Sequence, residues 1–145
     1  MCIRDSTGTF EAISVADSLL DRGMQVTLVS RYESLGASLP YPPATVEAAK
    51  ERLMSQNFDF IGGHYIQAIT QDEVMIGVPF TERKRRLQAN TVALISYNHP
   101  NRELGDYLAG QTTETKPKIH TIGDASGTNG IQAAIHQAAN LIRSL

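Results

Sequence analysis

The stretch "TFEAISVADSLLDRGMQVTLVS", Thr9 to Ser30, decides the fold because its hydrophobic periodicity changes once along its length. Up to Gly23 the apolar residues recur at helical spacing and form one broad stripe: Phe10, Ile13, Val15, Ala16, Leu19 and Leu20. Gly23 is placed to end that helix in a left-handed conformation. From Met24 to Ser30 the chain is short, apolar and rich in β-branched residues, which is typical of a buried parallel strand. The stretch therefore predicts the second half of a β-α-β unit.

The segments that follow continue to alternate between helix and strand. Three prolines in "GASLPYPP", 36–43, predict a loop, and Ala44 to Gln56 is rich in good helix formers. His64 to Val78 favours two short strands around "QDE", and the next strand approach ends in the apolar run Val92 to Ile95. This order predicts a small antiparallel meander followed by a return to the parallel sheet.

The C-terminal third predicts a strand, a loop and a long helix. Tyr97 to Leu108 leaves the preceding strand through a Pro-Asn turn and favours at most a short helix, and Gly110 to Pro117 is polar and typical of a linker. The stretch "IHTIGDASGTNGIQAAIH" then indicates a strand at Ile119 to Ile122, a loop at Gly123 to Asn129, and a helix from Gly130 to Leu145.

Composition excludes several classes of protein. The 145 residues suit one domain, with 41% hydrophobic and 19% charged residues, as in ordinary globular proteins. A net charge of -2 gives no reason to expect a nucleic-acid partner, and no apolar run approaches the roughly 20 residues of a membrane span. Cys2 is the only cysteine, which excludes an internal disulfide and favours a cytoplasmic location. The four histidines lack metal-ligand spacing, so we expect no metal site.

The N-terminus departs from the pattern of a nucleotide-binding unit. Such a unit begins with an apolar strand, whereas "MCIRDS", Met1 to Ser6, is short, charged and weakly apolar. We therefore expect that the helix starting near Thr9 lacks its first strand. We also expect that Met1 to Ser6 is a non-native leader and that the chain is truncated at its N-terminus.

Two positions in the first half indicate a dinucleotide. Gly8 directly precedes a helix, where free amides and the helix dipole favour a pyrophosphate, although the full G-x-G-x-x-G is absent. An ordinary loop before a helix explains Gly8 equally well. Arg31 follows the second predicted strand, where an arginine in place of an acid favours the 2'-phosphate of NADP. A solvent-exposed arginine without a ligand is the alternative.

A third candidate lies in "TIGDASGTNGIQAAI", Thr121 to Ile135. A strand ending in Gly-Asp delivers the carboxylate of Asp124 to the carboxyl edge of a sheet, where open α/β sheets bind ligands and where it can accept hydrogen bonds from sugar or ribityl hydroxyls. The amides of Ile131 and Gln132 then open a helix whose dipole favours negative charge. The alternative is that Asp124 only caps a turn; the acid, the small loop and the bare helix start occur together, which favours ligand contact.

Three segments carry a resemblance to a known family: "TGTFEAISVADSLLDRGMQVTLVSR", "LISYNHPNRELGDYL" and "IHTIGDASGTNGIQAAIHQAANLIRSL". From about Thr7 to Leu145 the chain resembles the C-terminal part of the NADH:flavin oxidoreductases of the 2,4-dienoyl-CoA reductase and trimethylamine dehydrogenase family. The resemblance implies an α/β chain with a Rossmann-like NAD(P)-binding domain at 7–98 that contains the meander, a turn and linker at 99–117, and the C-terminal strand-helix return of an FAD-type domain at 118–145.

The same resemblance implies the cofactors and the residues that hold them. FAD would be shared with an upstream half of the site that this sequence lacks, and NAD(P)H would bind the Rossmann-like domain. FMN, an iron-sulfur cluster and further N-terminal domains would belong to the parent protein outside this chain. The expected cofactor-binding residues are Gly123, Asp124, Gly130, Ile131 and Gln132 for FAD, and Gly8, Thr9, Phe10, Glu11 and Arg31 for the pyridine nucleotide.

The function implied is that of a fragment of a flavin-dependent oxidoreductase. Its parent would transfer hydride from NAD(P)H to FAD and pass electrons to a reductive site for an enoyl or dienoyl thioester or an amine. We expect no catalytic residue in this chain and no activity of the chain alone. The alternative is a nucleotide-binding regulatory or scaffold module without redox activity. A disulfide reductase of related fold is disfavoured, because its cysteine pair would also lie outside this sequence.

Overall fold

The computed structural model describes residues 1–39, 44–111, 118–127 and 130–145. These form two compact units, unit 1 (Met1–Tyr97) and unit 2 (Asn98–Leu145). The elements of unit 1 are β1 (Cys2–Asp5), α1 (Phe10–Leu20), β2 (Val26–Ser30), α2 (Ala44–Met54), β3 (Phe58–Ile61), β4 (Tyr65–Ile69), β5 (Glu73–Gly77), β6 (Lys84–Gln88) and β7 (Val92–Ile95). Those of unit 2 are α3 (Glu103–Gly110), a 3-10 turn (Gly123–Ala125) and α4 (Gly130–Ser144).

Unit 1 contains the two sheets that the sequence predicts. Strands β3, β2, β1 and β7 lie side by side in that order, and every neighbouring pair is parallel. Strands β4, β5 and β6 form a separate antiparallel sheet, with a register shift between Ile66 and Ala68. The α/β fold class with a Rossmann-like sheet and a small meander is therefore confirmed. Since the four strands are parallel, their carboxyl ends share one edge of the sheet.

The parallel sheet packs on both faces, which explains the apolar runs of β2 and β7. One face packs against α1 and α2 in a cluster with the following members: Ile3, Ala12, Ile13, Ala16, Leu20, Val26, Leu28, Leu35, Ala49, Leu53 and Phe58. The other face packs in a second cluster made of Cys2, Val29, Val74, Ile76 and Ala89. Unit 1 thus has three layers, namely helices, parallel sheet and meander.

The expectation that the first strand is missing is wrong. Residues Cys2–Asp5 form β1, which pairs with β2 on one side and β7 on the other, so these residues are at the centre of the sheet. The non-native origin of Met1 to Ser6 and the truncation stay predictions. The two charged residues, Arg4 and Asp5, hid the strand in the sequence because their side chains have different environments. Arg4 is exposed, whereas Asp5 is buried and takes part in the hydrogen bonds described below.

Other elements of unit 1 agree with the sequence except in one place. Helix α1 ends just before Gly23, whose φ of 75° is the left-handed conformation expected there. Strand β3 was not predicted, because "FDFI" is only four residues long and carries the exposed Asp59 in its middle. Of the predicted loop 36–43, residues 40–43 lie outside the described residues.

Unit 2 keeps the predicted C-terminal helix but not the strand before it. Residues 119–122 form no strand; the backbone at Ile122 is extended, with φ -131° and ψ 168°, yet it has no strand partner in the described part of unit 2. An isolated extended segment has no ladder hydrogen bonds, so it is not a strand. Helix α3 lies inside the region expected to be turn and linker, and residues 112–117 of that region lie outside the described residues. No helix within the described ranges is both long and apolar enough to cross a membrane.

Candidate functional site

Asp5 organises the turn between β1 and α1 in unit 1. Its carboxylate is 2% exposed, and Oδ1 accepts hydrogen bonds from the amides of Thr7 at 3.0 Å and Gly8 at 2.8 Å. The hydroxyl of Thr7 lies 3.4 Å from the same oxygen, and Ser30 donates its hydroxyl to Oδ2 at 2.9 Å. Asp5 and Ser30 are register partners at the ends of neighbouring parallel strands, which places the two side chains together. A buried carboxylate requires such partners, and these donors provide them.

Gly8 is enclosed by side chains of the loop after β2. Its φ is 68°, and a Cβ built there would lie 2.9 Å from the ring of Tyr32 and 2.9 Å from the hydroxyl of Ser38. The amide of Ser38 also donates to the carbonyl of Gly8 at 2.9 Å. Glycine is therefore required here both for the left-handed backbone and for the close approach of Tyr32.

The first turn of α1 carries a second carboxylate. Thr9 is the residue before the helix, and its side chain makes no capping hydrogen bond to the helix. Its hydroxyl instead donates to a carboxylate oxygen of Glu11, in the first helical turn. Phe10 is 41% exposed and does not join the core, although the sequence predicted it on the buried stripe.

Arg31 stacks on two tyrosine rings at the same edge of the sheet. Its guanidinium carbon lies 5.0 Å from the centroid of Tyr32 and 6.0 Å from that of Tyr97. Both distances are within the range of a cation–π contact. Tyr32 thus contacts Gly8 with its ring and also lies against Arg31, so it connects two of the residues predicted to line a pyridine nucleotide. Contact of these residues with a nucleotide stays a prediction.

In unit 2, Asp124 caps the start of α4. Its Oδ1 accepts a hydrogen bond from the amide of Gly130 at 3.0 Å, and Gly130 has a φ of 77°. This contact agrees with the turn-capping interpretation that the sequence analysis placed second. The side chains of Asp124, Ile131 and Gln132 are exposed at this helix start. Contact of these residues with a ligand stays a prediction.

The loop that carries Asp124 is fixed by two residues that the sequence did not single out. Gln137, on α4, accepts at Oε1 a hydrogen bond from the amide of Gly123 at 2.6 Å and another from the hydroxyl of Ser126 at 3.1 Å. Arg102 donates to the carbonyl of Ser126 at 2.8 Å. Gly123 has a φ of 64° and packs on α4, where a Cβ would lie 3.3 Å from that of Ala134.

Comparisons with known proteins show that three enzymes contain a segment similar in fold to this chain. No protein-family model and no curated protein matches the sequence. Among solved structures, histamine dehydrogenase from Rhizobium sp. 4-9 is similar with a TM-score of 0.78 and 19% identity, over 99% of this chain and 22% of that one. The 6-hydroxypseudooxynicotine amine oxidase from Pseudomonas geniculata N1 is similar with a TM-score of 0.77 and 21% identity, over 92% of this chain and 20% of that one.

A third match has a different kind of substrate. 2-Naphthoyl-CoA reductase, in complex with 2-naphthoyl-CoA, is similar with a TM-score of 0.71 and 18% identity, over 93% of this chain and 20% of that one. The chain shares its fold with a segment of these oxidoreductases. It spans about a fifth of the length of each of the three.

Asp5, Gln137 and Arg102 are residues of these sites that the sequence did not single out. Asp5 was dismissed with the supposed leader, although an aspartate two and three residues before Thr7 and Gly8 is a recognisable signal for a turn in which the side chain accepts backbone amides. Gln137 gives no local signal, because its partner Gly123 lies 14 residues earlier.

Within the ranges that the structure describes, no group of three or more histidine, cysteine, aspartate or glutamate side chains is arranged to hold a metal.

Proposed function

We propose that the chain is the nucleotide-binding portion of a flavin-dependent oxidoreductase of the 2,4-dienoyl-CoA reductase and trimethylamine dehydrogenase family. The observation that carries the proposal is the match of 99% of the chain to a segment of histamine dehydrogenase at a TM-score of 0.78. Two further oxidoreductases, one acting on an amine and one on a CoA thioester, match to a similar extent. The motifs that resemble the family occur in both units, so fold and sequence support the same proposal.

In this proposal unit 2 contributes to an FAD site. The exposed carboxylate of Asp124 already accepts the amide of Gly130, and a carboxylate has room for further donors such as ribityl hydroxyls. Gln137 keeps the loop in place by holding Gly123 and Ser126. Gly130, Ile131 and Gln132 would line the cofactor at the helix start. FAD, when bound, would supply the redox chemistry, and these residues would position it.

The exposed apolar residues of unit 2 support a larger parent protein. Neither α3 nor α4 has a buried residue, yet both carry large apolar side chains. The most exposed are Leu104, Tyr107, Ile131, Ile135, Ile142 and Leu145, each at least 64% exposed. Large apolar side chains left exposed in such number are typical of an interaction face. We infer that the rest of an FAD-type domain covers it in the parent.

The pyridine-nucleotide part of the function receives no support from unit 1. A pyrophosphate at the start of α1 would lie beside the turn after β1, where Asp5 already accepts the amides of Thr7 and Gly8. Glu11 adds a second carboxylate in the same turn. We therefore assign no step to NAD(P)H in this chain. The reductive site for a thioester or an amine would lie in other domains of the parent, together with any FMN or iron-sulfur cluster.

The alternative function, a nucleotide-binding regulatory or scaffold module, needs a nucleotide site within the chain itself. Asp5 and Glu11 oppose such a site in unit 1, and the Asp124 loop offers one carboxylate and one helix start. No observation on the described residues favours this module over the oxidoreductase. For the oxidoreductase we propose a cytoplasmic protein whose partners are cofactors and its own other domains, with neither nucleic acid nor membrane.

The flavin content of the intact parent tests the proposal. We expect the parent to purify with bound FAD, and the substitution Asp124→Ala to lower the FAD content while Asp106→Ala, an exposed acid on α3, leaves it unchanged. Visible absorbance and acid-released cofactor measure both. The present chain alone should show no stoichiometric flavin. A parent without flavin, or with full occupancy after Asp124→Ala, would contradict the assignment of unit 2.

A further inference from the structure

We propose that the carboxylate of Asp5 takes the place of a dinucleotide pyrophosphate, so that unit 1 keeps the dinucleotide fold without binding NADH or NADPH. This inference concerns the turn between β1 and α1 alone. It goes beyond the proposed function and does not depend on whether unit 2 contributes to a flavin site.

Two hydrogen-bond donors of this turn are already engaged within unit 1. In a dinucleotide fold the pyrophosphate sits at the N-terminus of the first helix, and the glycine-rich turn before that helix lets it approach the backbone closely. In unit 1 the amides of Thr7 and Gly8 point at Asp5 Oδ1, at 3.0 and 2.8 Å. An internal anion therefore already engages two amides of the turn that leads to this helix start. Because this carboxylate is almost fully buried and part of the chain, it cannot exchange with a ligand as a bound phosphate would.

The start of α1 already carries negative charge. A pyrophosphate brings negative charge to the start of α1, where the helix dipole would favour it. Two carboxylates already lie there, Asp5 behind the turn and Glu11 in the first helical turn. The cation at this edge, Arg31, stacks on the rings of Tyr32 and Tyr97. Like charges at short range in a partly buried site oppose binding of a second anion.

The space beside the α-carbon of Gly8 is already filled. A glycine in this turn normally lets a ligand's phosphate approach the backbone closely. At Gly8 the space beside the α-carbon is taken by Tyr32 and Ser38, each with an atom 2.9 Å from where a Cβ would be. The glycine thus serves packing within the chain. Two amides of this turn and the space beside the α-carbon of Gly8 are thus taken by residues of unit 1, and two carboxylates lie close by.

The test is a titration of the full chain, labelled with 15N, with NADPH, NADH and inorganic pyrophosphate. The amide resonances of Thr7 and Gly8 report on the turn, and calorimetry reports affinity. For the unaltered chain we expect no shift of either resonance. Asp5→Gly frees both amides and removes the charge, so pyrophosphate should bind about tenfold tighter or more and shift the Gly8 resonance.

Two further variants separate the causes. Asp5→Asn keeps an oxygen that can accept both amides, so we expect it to stay closed to pyrophosphate although the charge is gone. Asp21→Asn removes an exposed carboxylate just beyond the other end of α1 and should change nothing. If Asp5→Gly does not fold by circular dichroism, Asp5→Ser, which has one short acceptor, takes its place in the same comparison.

The outcomes that overturn the inference are specific to unit 1. Binding of NADPH or NADH to the unaltered chain with a shift at Gly8 would show that the turn is open. A folded Asp5→Gly or Asp5→Ser variant that gains no pyrophosphate binding would show that Asp5 is not what closes it. Neither result bears on the flavin content that tests unit 2, so the two proposals fail separately.

Discussion

Units 1 and 2 differ most in what they bury. Unit 1 has two clusters of buried side chains, one on each face of its parallel sheet. In the described part of unit 2, Gly123 is the only buried residue, and most of the large apolar side chains of α3 and α4 are exposed. Burial of apolar surface is the main favourable contribution to folding. Unit 1 is therefore stabilised by its own buried core. Unit 2 has the exposed apolar side chains that are typical of an element packing against another part of a protein.

The two units therefore differ in where their side chains find partners: within the unit for unit 1, and outside it for the apolar side chains of unit 2. A helix of 15 residues in which no residue is buried is of marginal stability in water. The sequence of α4 nevertheless keeps an apolar stripe, with Ile131, Ile135 and Ile142 spaced to share one face. Such a stripe is meaningful only if a partner covers it. Unit 1, in contrast, keeps a Rossmann-like sheet in which Asp5 satisfies two amides of the turn after β1.

The largest expected effect is the loss of a core side chain in unit 1. Leu28 is fully buried at the centre of the cluster facing α1 and α2. We expect Leu28→Ala to lower the free energy of unfolding by about 2–5 kcal/mol, through lost burial and the cavity that is left. Urea denaturation followed by circular dichroism measures this.

The matched control for this prediction is in unit 2. Leu104 is 70% exposed, so Leu104→Ala should change the free energy of unfolding by no more than about 0.5 kcal/mol. Equal effects of the two leucine substitutions would break the comparison, because unit 2 would then hold a core that its exposed surface does not show.

Much of unit 1 could be predicted because its signals are local. The change from helical to strand periodicity between Gly23 and Val26, and the apolar run Val92–Ile95, follow directly from which faces are buried. The strand β1 could not be recognised from composition. Its Asp5 looks incompatible with a central strand until the donors of Thr7, Gly8 and Ser30 are in place, and those come from the fold.

The second expected effect is the loss of the Asp5 carboxylate. Asp5→Ala leaves the amides of Thr7 and Gly8 and the hydroxyl of Ser30 without their acceptor. A buried donor without a partner costs about 1–3 kcal/mol, so we expect a loss of that size or more. Asp5→Asn should recover most of it, because its oxygen still accepts. Thermal and urea unfolding of both variants measure the difference, and equal losses for both would contradict the role of the hydrogen bonds.

The third expected effect is a local one in unit 2. Gln137→Ala removes the acceptor of the Gly123 amide and of the Ser126 hydroxyl. One such bond contributes about 0.5–1.5 kcal/mol, so the exchange of the Gly123 amide with solvent deuterium should speed up roughly 2- to 10-fold. Gln132→Ala, at an exposed position of the same helix, is the control and should not alter that exchange. No acceleration would show that the loop is held without Gln137.

The candidate site of unit 2 was harder to predict than its helix. The sequence indicated α4 and the Gly-Asp turn correctly, since glycines, an acid and a helical pattern are local features. It did not indicate that residues 119–122 lack a strand partner, because pairing depends on other strands and not on the apolar letters themselves. It also did not reveal Gln137, whose role exists only once the helix returns to the loop.

The smallest expected effect concerns Cys2, in the middle of unit 1. Its thiol is 1% exposed and packs in the cluster with Val29, Val74 and Ile76. Burial raises the pKa of the Cys2 thiol, with a smaller opposing effect of the amino-terminal charge. The folded chain therefore favours the neutral thiol. This contribution to stability is present below the ordinary thiol pKa of about 8.5 and is lost as the pH rises through the raised pKa of the folded state.

Two measurements check this prediction. The free energy of unfolding should fall as the pH rises above about 8.5, and Cys2→Ser should reduce that fall. At neutral pH a thiol-specific disulfide reagent should react slowly with the folded chain and quickly in urea, because the thiolate is both disfavoured and covered. Immediate reaction without denaturant would mean that β1 is not held between β2 and β7. The central strand, the turn at Asp5 and the closure of the dinucleotide site would then fail together, since all three depend on residues 2–5 being in the sheet.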